Sequence, residues 1–149
     1  MKIEQILKTK KELSSHKKIV VSILYTNSQL SNLLNGILKP FDISLQQFNV
    51  LRILRGQENK PVSLSVVQER MISKMSNTTR LIDKLIKKGL VQKDINQTNR
   101  RKVDINITKE GLEILNYVDN LIEKAEEDIV KKLSEEEKKE LIRLLGKIR

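Results

Sequence analysis

The strongest constraint on the fold is a change of hydrophobic periodicity around Gly89. Residues 76–91, SNTTRLIDKLIKKGLV, repeat apolar side chains at three and four positions, which is typical of an amphipathic helix. Residues 103–107 instead alternate apolar and polar side chains, as a half-buried strand does, and residues 91–95 can supply its partner. The intervening loop, residues 96–102, is too long and too polar for a two-residue turn. The sequence therefore predicts a helix followed by a β-hairpin with an extended, arginine-bearing loop, which is a wing.

The predicted helix in residues 76–91 has two chemically different faces when its residues are spaced at about 100° each. The apolar arc contains Thr78, Leu81, Ile82, Leu85 and Ile86. The opposite arc contains Asn77, Arg80, Lys84 and Lys87. Asn and Arg can hydrogen-bond base edges in the major groove, and Lys suits phosphates. Taken alone, the helix also fits a plain surface helix with a solvated charged face; the paired arginines of the wing loop favour the DNA interpretation, because stability does not explain them.

The formal net charge of +10 is unevenly distributed. Residues 74–102 contain nine basic and two acidic side chains, whereas residues 109–149 contain nine basic and eleven acidic ones. A polyanion is therefore the expected partner of the central segment. The chain has only two Tyr and two Phe and no Trp, so few side chains are available to stack on unpaired bases. Duplex DNA is therefore favoured over RNA as the partner.

Several classes of protein are disfavoured by composition. The chain has no Cys, one His and five Gly, and it contains neither a metal-binding spacing nor a phosphate-cradling glycine loop. We therefore expect no enzyme activity, no metal and no cofactor. No apolar run approaches the length of a membrane span, and the N-terminus lacks the pattern of a signal peptide, so no membrane association and a cytoplasmic location are expected.

The segments around the wing read as helices. Residues 1–38 repeat apolar positions at helical spacing, with an end expected near Gly36 and the Lys39-Pro40 step. Ser44 is expected to cap a third helix that stops near Gly56, and Ser63 or Ser65 to cap a short fourth one. That short helix, the polar break SKMSN and the helix in residues 76–91 form a helix-turn-helix pattern.

The C-terminal part reads as two further helices. Thr108 is placed to cap a long helix with an apolar stripe, and Ser134 with Glu137 forms a capping box for a final one. Such a stripe needs another helix to cover it. The predicted fold is mainly α with minor β: a winged helix-turn-helix module in residues 41–108, with helical regions in residues 1–40 and 109–149.

The order of these segments resembles the MarR family of winged-helix transcriptional regulators. The resemblance extends over roughly residues 15–149 and is most specific in SNTTRLIDKLIKKGLV and NRRKVDINITKEG. It implies a homodimer formed by the two helical regions, bound to a pseudo-palindromic operator with one recognition helix per half-site. It also implies that Arg101 reaches the minor groove. Two departures stand out: Asn99 replaces the usual acidic wing residue, which suggests a looser wing, and the absence of Cys excludes thiol-based sensing.

The expected function is that of a sequence-specific regulator of transcription, a repressor, acting on double-stranded DNA. Side chains at the start of the recognition helix are expected to read bases: Ser76, Asn77, Thr78, Thr79 and Arg80. Lysines are expected to contact phosphates: Lys84, Lys87, Lys88, Lys93 and Lys102. Arg100 and Arg101 are expected to favour a narrow, A·T-rich minor groove. The alternative is a winged helix that coats DNA without sequence preference or binds proteins, which predicts equal affinity for any duplex.

The resemblance also implies a small anionic aromatic effector. Conceivable lining residues are His16, Tyr25, Phe41 and Phe48, but ordinary core or surface roles are favoured for all four. The ligand site is left unassigned.

Overall fold

A computed structural model describes residues 2–58, 60–99 and 103–149 of the chain. Two compact units make up the chain, Met1–Leu45 and Gln46–Arg149. The expected fold is confirmed: the chain is mostly helical and carries one small antiparallel sheet of two strands. No helix in the described residues is long and apolar enough to cross a membrane. The predicted assignment of residues 1–40 and 109–149 to dimerisation stays a prediction.

The first unit consists of a short helix, a long helix and a 3-10 turn. Helix α1 spans Ile3–Ile6, helix α2 spans Ser15–Leu38, and the turn covers Lys39–Phe41. Helix α2 ends at the predicted Lys39-Pro40 step, where Lys39 keeps helical backbone angles (φ −55°, ψ −43°) and the chain continues into the 3-10 turn, while Gly36 lies inside the helix. The Lys18 ammonium lies 2.9 Å from a Glu4 carboxylate oxygen and lowers the pKa of that carboxyl, which ties α1 to α2.

The second unit contains most of the winged module and the C-terminal helices. The remaining elements of the chain are α3 (Leu45–Arg55), α4 (Leu64–Arg70), α5 (Thr78–Lys87), β1 (Val91–Ile95), β2 (Val103–Ile107), α6 (Lys109–Val130) and α7 (Glu135–Ile148). Apolar side chains from all of these helices except α7 are buried, among them Leu51, Val67, Leu85 and Leu115 at 0% exposure. Helix α7 has no buried residue. The apolar stripe predicted on α6 is buried at Leu115, Val118 and Ile122 and becomes exposed by Ile129.

The helix ends follow the predicted caps. Ser63, rather than Ser65, caps α4, with its side-chain oxygen accepting from the Val66 N–H. At the end of α5, Gly89 adopts a φ of +73°, where its N–H donates to the Ile86 carbonyl at 2.9 Å. The Leu90 N–H donates to the Leu85 carbonyl at 3.0 Å. This pair of bonds is the Schellman motif, which satisfies carbonyls at the end of the helix and turns the chain into β1.

The wing hairpin is anchored by a third extended segment. In the antiparallel register of β1 and β2, Val91 pairs with Ile107 and Ile95 with Val103. Val62, in the extended piece after Pro61, forms an isolated bridge with Ile105, with N–O distances of 3.2 and 2.9 Å. This extended segment fastens the N-terminus of α4 to the centre of the hairpin.

The hairpin is joined to α6 by a close junction at Thr108 and Gly111. The Thr108 side chain donates to the Gly89 carbonyl at 2.7 Å and accepts from the Gly111 N–H at 3.1 Å, so it acts as the predicted cap of α6. A Cβ on Gly111 would lie 2.2 Å from the Leu90 carbonyl oxygen. Glycine is therefore required here because the α6 backbone lies directly against the chain leading into β1.

Candidate nucleic-acid interface

The N-terminal end of α5 is built by Asn77. Its side-chain oxygen accepts a hydrogen bond from the Arg80 backbone N–H at 3.1 Å, which satisfies one of the free donors in the first turn. The helix thus begins at Thr78, with Asn77 as its cap. Capping uses the carbonyl oxygen of the Asn77 amide and leaves its nitrogen as a hydrogen-bond donor. Thr79 and Arg80, both predicted to read bases, are exposed in this first turn, and Ser76 is half-buried just before it.

Thr78, which is also predicted to read bases, faces the core and not the solvent. Thr78 is only 3% exposed, and its hydroxyl donates to the Ser76 carbonyl at 3.5 Å. The physical reason is its position on the helix, since Thr78 shares the inward face with Ile82 and Leu85. The same helical spacing placed Thr78 on the apolar arc, and that assignment is the one the structure supports.

A row of three cations runs along the outer face of α5. Arg80, Lys84 and Lys87 follow each other at spacings of four and three residues, and all three are exposed. Like charges at these spacings destabilise an isolated helix by about 0.2–0.5 kcal/mol per pair. Within the part of the chain that the structure describes, none of the three forms an ion pair that would offset this repulsion. The row thus remains unpaired within the described residues, and it has the charge needed to bind a line of phosphates.

The first half of the wing loop is organised by the side chain of Asn96. Its amide nitrogen donates to both carboxylate oxygens of Asp104, each at 3.0 Å. Its oxygen accepts from the backbone N–H groups of Thr98 and Asn99 at 3.0 and 2.8 Å, and from the Thr98 hydroxyl at 2.7 Å. These contacts fix the turn at the base of the wing. Asn99, expected to loosen the wing, is held in this turn by its backbone.

The predicted wing contacts Arg100, Arg101 and Lys102 lie outside the described residues. Lys93, on β1, is exposed, as are Lys87 and Lys88 at the end of α5. The described part of the interface thus comprises the first turn of α5, its row of cations and the base of the wing.

A cleft of about 430 Å³ lies between the N-terminus of α4, the side of α5 and the hairpin. Its lining includes Ser63, Ser65, Thr79, Asp83, Lys93 and Ile105. The four conceivable ligand-lining residues lie elsewhere: Phe48 is 3% exposed, Tyr25 is 36% exposed on α2, His16 is bonded to Ser14 at 3.0 Å, and Phe41 closes the 3-10 turn. No group of three or more His, Asp or Glu side chains that could hold a metal ion occurs among the described residues.

The fold and this surface define a winged helix-turn-helix protein of the DNA-binding class. Residues 43–103 match the sequence model of the MarR family. The multiple antibiotic resistance protein MarR of Escherichia coli is 31% identical over 124 residues, which cover 82% of this chain and 84% of the relative. The transcriptional regulator PecS of Dickeya dadantii is 29% identical over 150 residues, which cover 98% of this chain and 89% of the relative. The chain belongs to the MarR family of transcriptional regulators, which is not a family of enzymes.

The likeness extends to the three-dimensional structure of a relative on DNA. A mutant of Escherichia coli MarR in complex with operator DNA superposes with a TM-score of 0.79 at 25% sequence identity. The alignment covers 93% of this chain and 99% of that one. Nearly the whole chain therefore shares the fold in which that regulator binds an operator.

Proposed function

We propose that this protein is a repressor that binds a pseudo-palindromic operator as a homodimer and is released by a small ligand. The observation that carries the proposal is the exposed cationic row on α5, which starts at a capped N-terminus bearing Thr79 and Arg80. In helix-turn-helix proteins the N-terminal residues of the second helix contact base edges. Ser76, Asn77, Thr79 and Arg80 read bases, Lys84 and Lys102 contact phosphates, and Arg100 and Arg101 enter the minor groove.

The homodimer is supported by apolar helix faces that a single chain leaves exposed. In the first unit, α2 exposes Ile19, Val20 and Leu24 at 53%, 55% and 63%. In the second unit, α7 exposes Ile142 and Ile148 at 65% and 61%. Monomeric proteins rarely leave contiguous faces of this kind uncovered. Sedimentation at micromolar concentration is expected to show a dimer that Ile142→Arg weakens, and a strictly monomeric wild-type species would contradict this part of the proposal.

Release by an effector is supported by the cleft beside α5. Its lining contains apolar side chains and two opposite charges, Asp83 and Lys93, and of these Lys93 can bind the carboxylate of an anionic aromatic compound. A ligand lowers DNA affinity only by the difference in its own affinity for the free and bound forms. Benzoate serves as a first probe: it is expected to lower DNA affinity of the wild type, and the effect is expected to be smaller in Lys93→Ala.

Selection of bound fragments from the host genome tests sequence-specific binding, with the salt concentration stated. A regulator is expected to bind its selected site at least about 1,000-fold more tightly than unrelated DNA. The triple variant Arg80→Ala, Lys84→Ala, Lys87→Ala is expected to lose this binding. A variant with Lys138, Lys139 and Lys147 of α7 changed to Ala has the same net charge and is the matched control. Equal wild-type affinity for all duplexes would instead favour the non-specific or protein-binding alternative.

A further inference from the structure

Two large apolar side chains on the turn that leads into α5 are exposed to solvent. Met75 is 96% exposed and Ile72 is 85% exposed, the two highest values among the large apolar side chains of the described residues. The next is Ile95, at 69%. The reading residues Asn77 and Arg80 follow Met75 by two and five positions.

The backbone of this turn is fixed although these side chains are free. The Ile72 N–H donates to the Asn49 side-chain oxygen at 2.9 Å, which ties the start of the turn to α3. The Ser76 N–H donates to the Ser73 carbonyl at 3.2 Å, and Asn77 caps α5 at the far end. The backbone of Met75 therefore has a fixed position relative to the first turn of α5.

The surroundings of Met75 are polar and basic. Its sequence neighbours are Lys74 and Ser76, and Arg80 lies in the first turn of the helix that follows. The Lys74 ammonium donates to the Glu69 carbonyl, so this cation sits at the end of α4. Two apolar side chains are too few for a protein interface, which needs about 800 Å² from each partner. The positive charge around them instead matches a polyanion.

Major-groove chemistry offers one apolar feature to such a side chain. Polar groups there are read by hydrogen bonds, whereas the C5-methyl group of thymine is read by apolar contact. Methionine is unbranched and flexible, so its side chain can adjust its conformation to contact a methyl group in the groove. We propose that Met75, together with Ile72, contacts thymine methyl groups of the operator and makes the turn before α5 a specificity-determining element. This inference rests on the proposed function, because it needs a bound duplex.

The test uses a random duplex library and the full-length wild type. The tightest duplex recovered is then synthesised with deoxyuridine replacing thymine, one position at a time in both half-sites, because uracil lacks only the C5-methyl group. For the wild type we expect at least one position at which this replacement weakens binding by about four-fold per methyl group, the factor given by burying one such group. Met75→Ala should bind the thymine duplex more weakly and should be insensitive to the same replacement.

Each outcome decides between the proposals. Ile72→Ala is a second probe of the turn, and Gln68→Ala, at an exposed position on α4 outside the proposed dimer faces, is the control that should keep full sensitivity to uracil. Since Met75 contacts almost no protein atoms, its variant should keep the wild-type melting temperature, which circular dichroism checks. A recovered duplex on which no thymine-to-uracil change matters, or on which Met75→Ala loses the same factor with either base, would overturn the inference alone. Recovery of no preferred duplex would overturn the proposed function and the inference with it.

Discussion

The Asn77 side-chain oxygen and the Arg80 backbone N–H are joined by a hydrogen bond of 3.1 Å, so a residue expected to read bases also begins the recognition helix. Substitutions at Asn77 can separate these two roles. Asn77→Asp keeps the cap and adds a charge that the helix N-terminus favours, but it removes the amide donor and repels phosphates. We expect unchanged or higher thermal stability with a large loss of operator affinity in gel shifts. Asn77→Ala should instead lose about 1 kcal/mol of stability, and wild-type DNA affinity in Asn77→Asp would show that Asn77 is only a cap.

Arg80 and Lys84 lie one turn apart on the same face of α5 but should contribute differently to binding. Arg80→Ala is expected to relax the preference for one base pair by about 1–3 kcal/mol, since a guanidinium can bind guanine through two hydrogen bonds. Lys84→Ala should weaken binding to every sequence alike and lower the salt slope by about one, as loss of a phosphate contact does. Competition gel shifts at several salt concentrations distinguish the two, and identical profiles would contradict the assignment.

The wing arginine Arg101 is expected to insert into a narrow minor groove. Arg101→Ala should weaken operator binding and reduce its salt dependence, with the loss greatest on sites that carry an A·T-rich segment under the wing. Binding titrations on two duplexes that differ only in that segment, A·T against G·C, measure this. Lys139→Ala on α7 controls for the loss of one charge. An equal loss on both duplexes would mean that Arg101 acts only through the phosphates.

The Asn96 side chain should determine how rigid the base of the wing is. Asn96→Ala removes the acceptor of the Thr98 and Asn99 N–H groups, so hydrogen exchange at these two amides is expected to accelerate. Exchange at Ile105, whose N–H donates to the Val62 carbonyl at 2.9 Å, should change little. DNA affinity should fall modestly because ordering the freed loop costs about 1–2 kcal/mol per residue fixed. Unchanged exchange at Thr98 and Asn99 would show that other contacts hold the turn.

Gly111 should tolerate no side chain. A Cβ there would lie 2.2 Å from the Leu90 carbonyl oxygen, which is backbone and cannot swing aside. Gly111→Ala is therefore expected to lower the free energy of unfolding by about 1–3 kcal/mol, the usual cost of overpacking. The control is Gly36→Ala in α2, where a Cβ meets no atom within 4 Å and alanine should stabilise the helix by up to about 1 kcal/mol. Urea denaturation measures both, and equal effects would contradict the structure at this junction.

Most helix and strand boundaries could be predicted because capping residues and proline act on residues close to them in the sequence. Ser134 with Glu137, Thr108, Gly89 and the Lys39-Pro40 step act within a few positions, and each marks a helix boundary as expected. The helical spacing of residues 76–91 likewise identified the buried and exposed faces of α5.

Other features depend on which segments meet in space. The bridge between Val62 and Ile105 and the close approach of Gly111 to Leu90 join residues that the sequence does not place together. The structure confirms the inward position of Thr78 on the apolar arc, whereas its predicted base-reading role stays a prediction that this burial does not favour. Asn96 was not predicted to be the residue that organises the loop, although Asn side chains commonly bond the backbone two residues further on in turns.

The junction at Thr108 has a mechanical consequence. Thr108 is bonded to Gly89 on one side and to Gly111 on the other, and no space separates the α6 backbone from Leu90. The start of α6 and the hairpin are therefore held against each other at this junction, so a tilt of α6 is expected to move the hairpin with it. In the proposed homodimer, the angle between α6 and the hairpin would therefore contribute to the distance between the two hairpins.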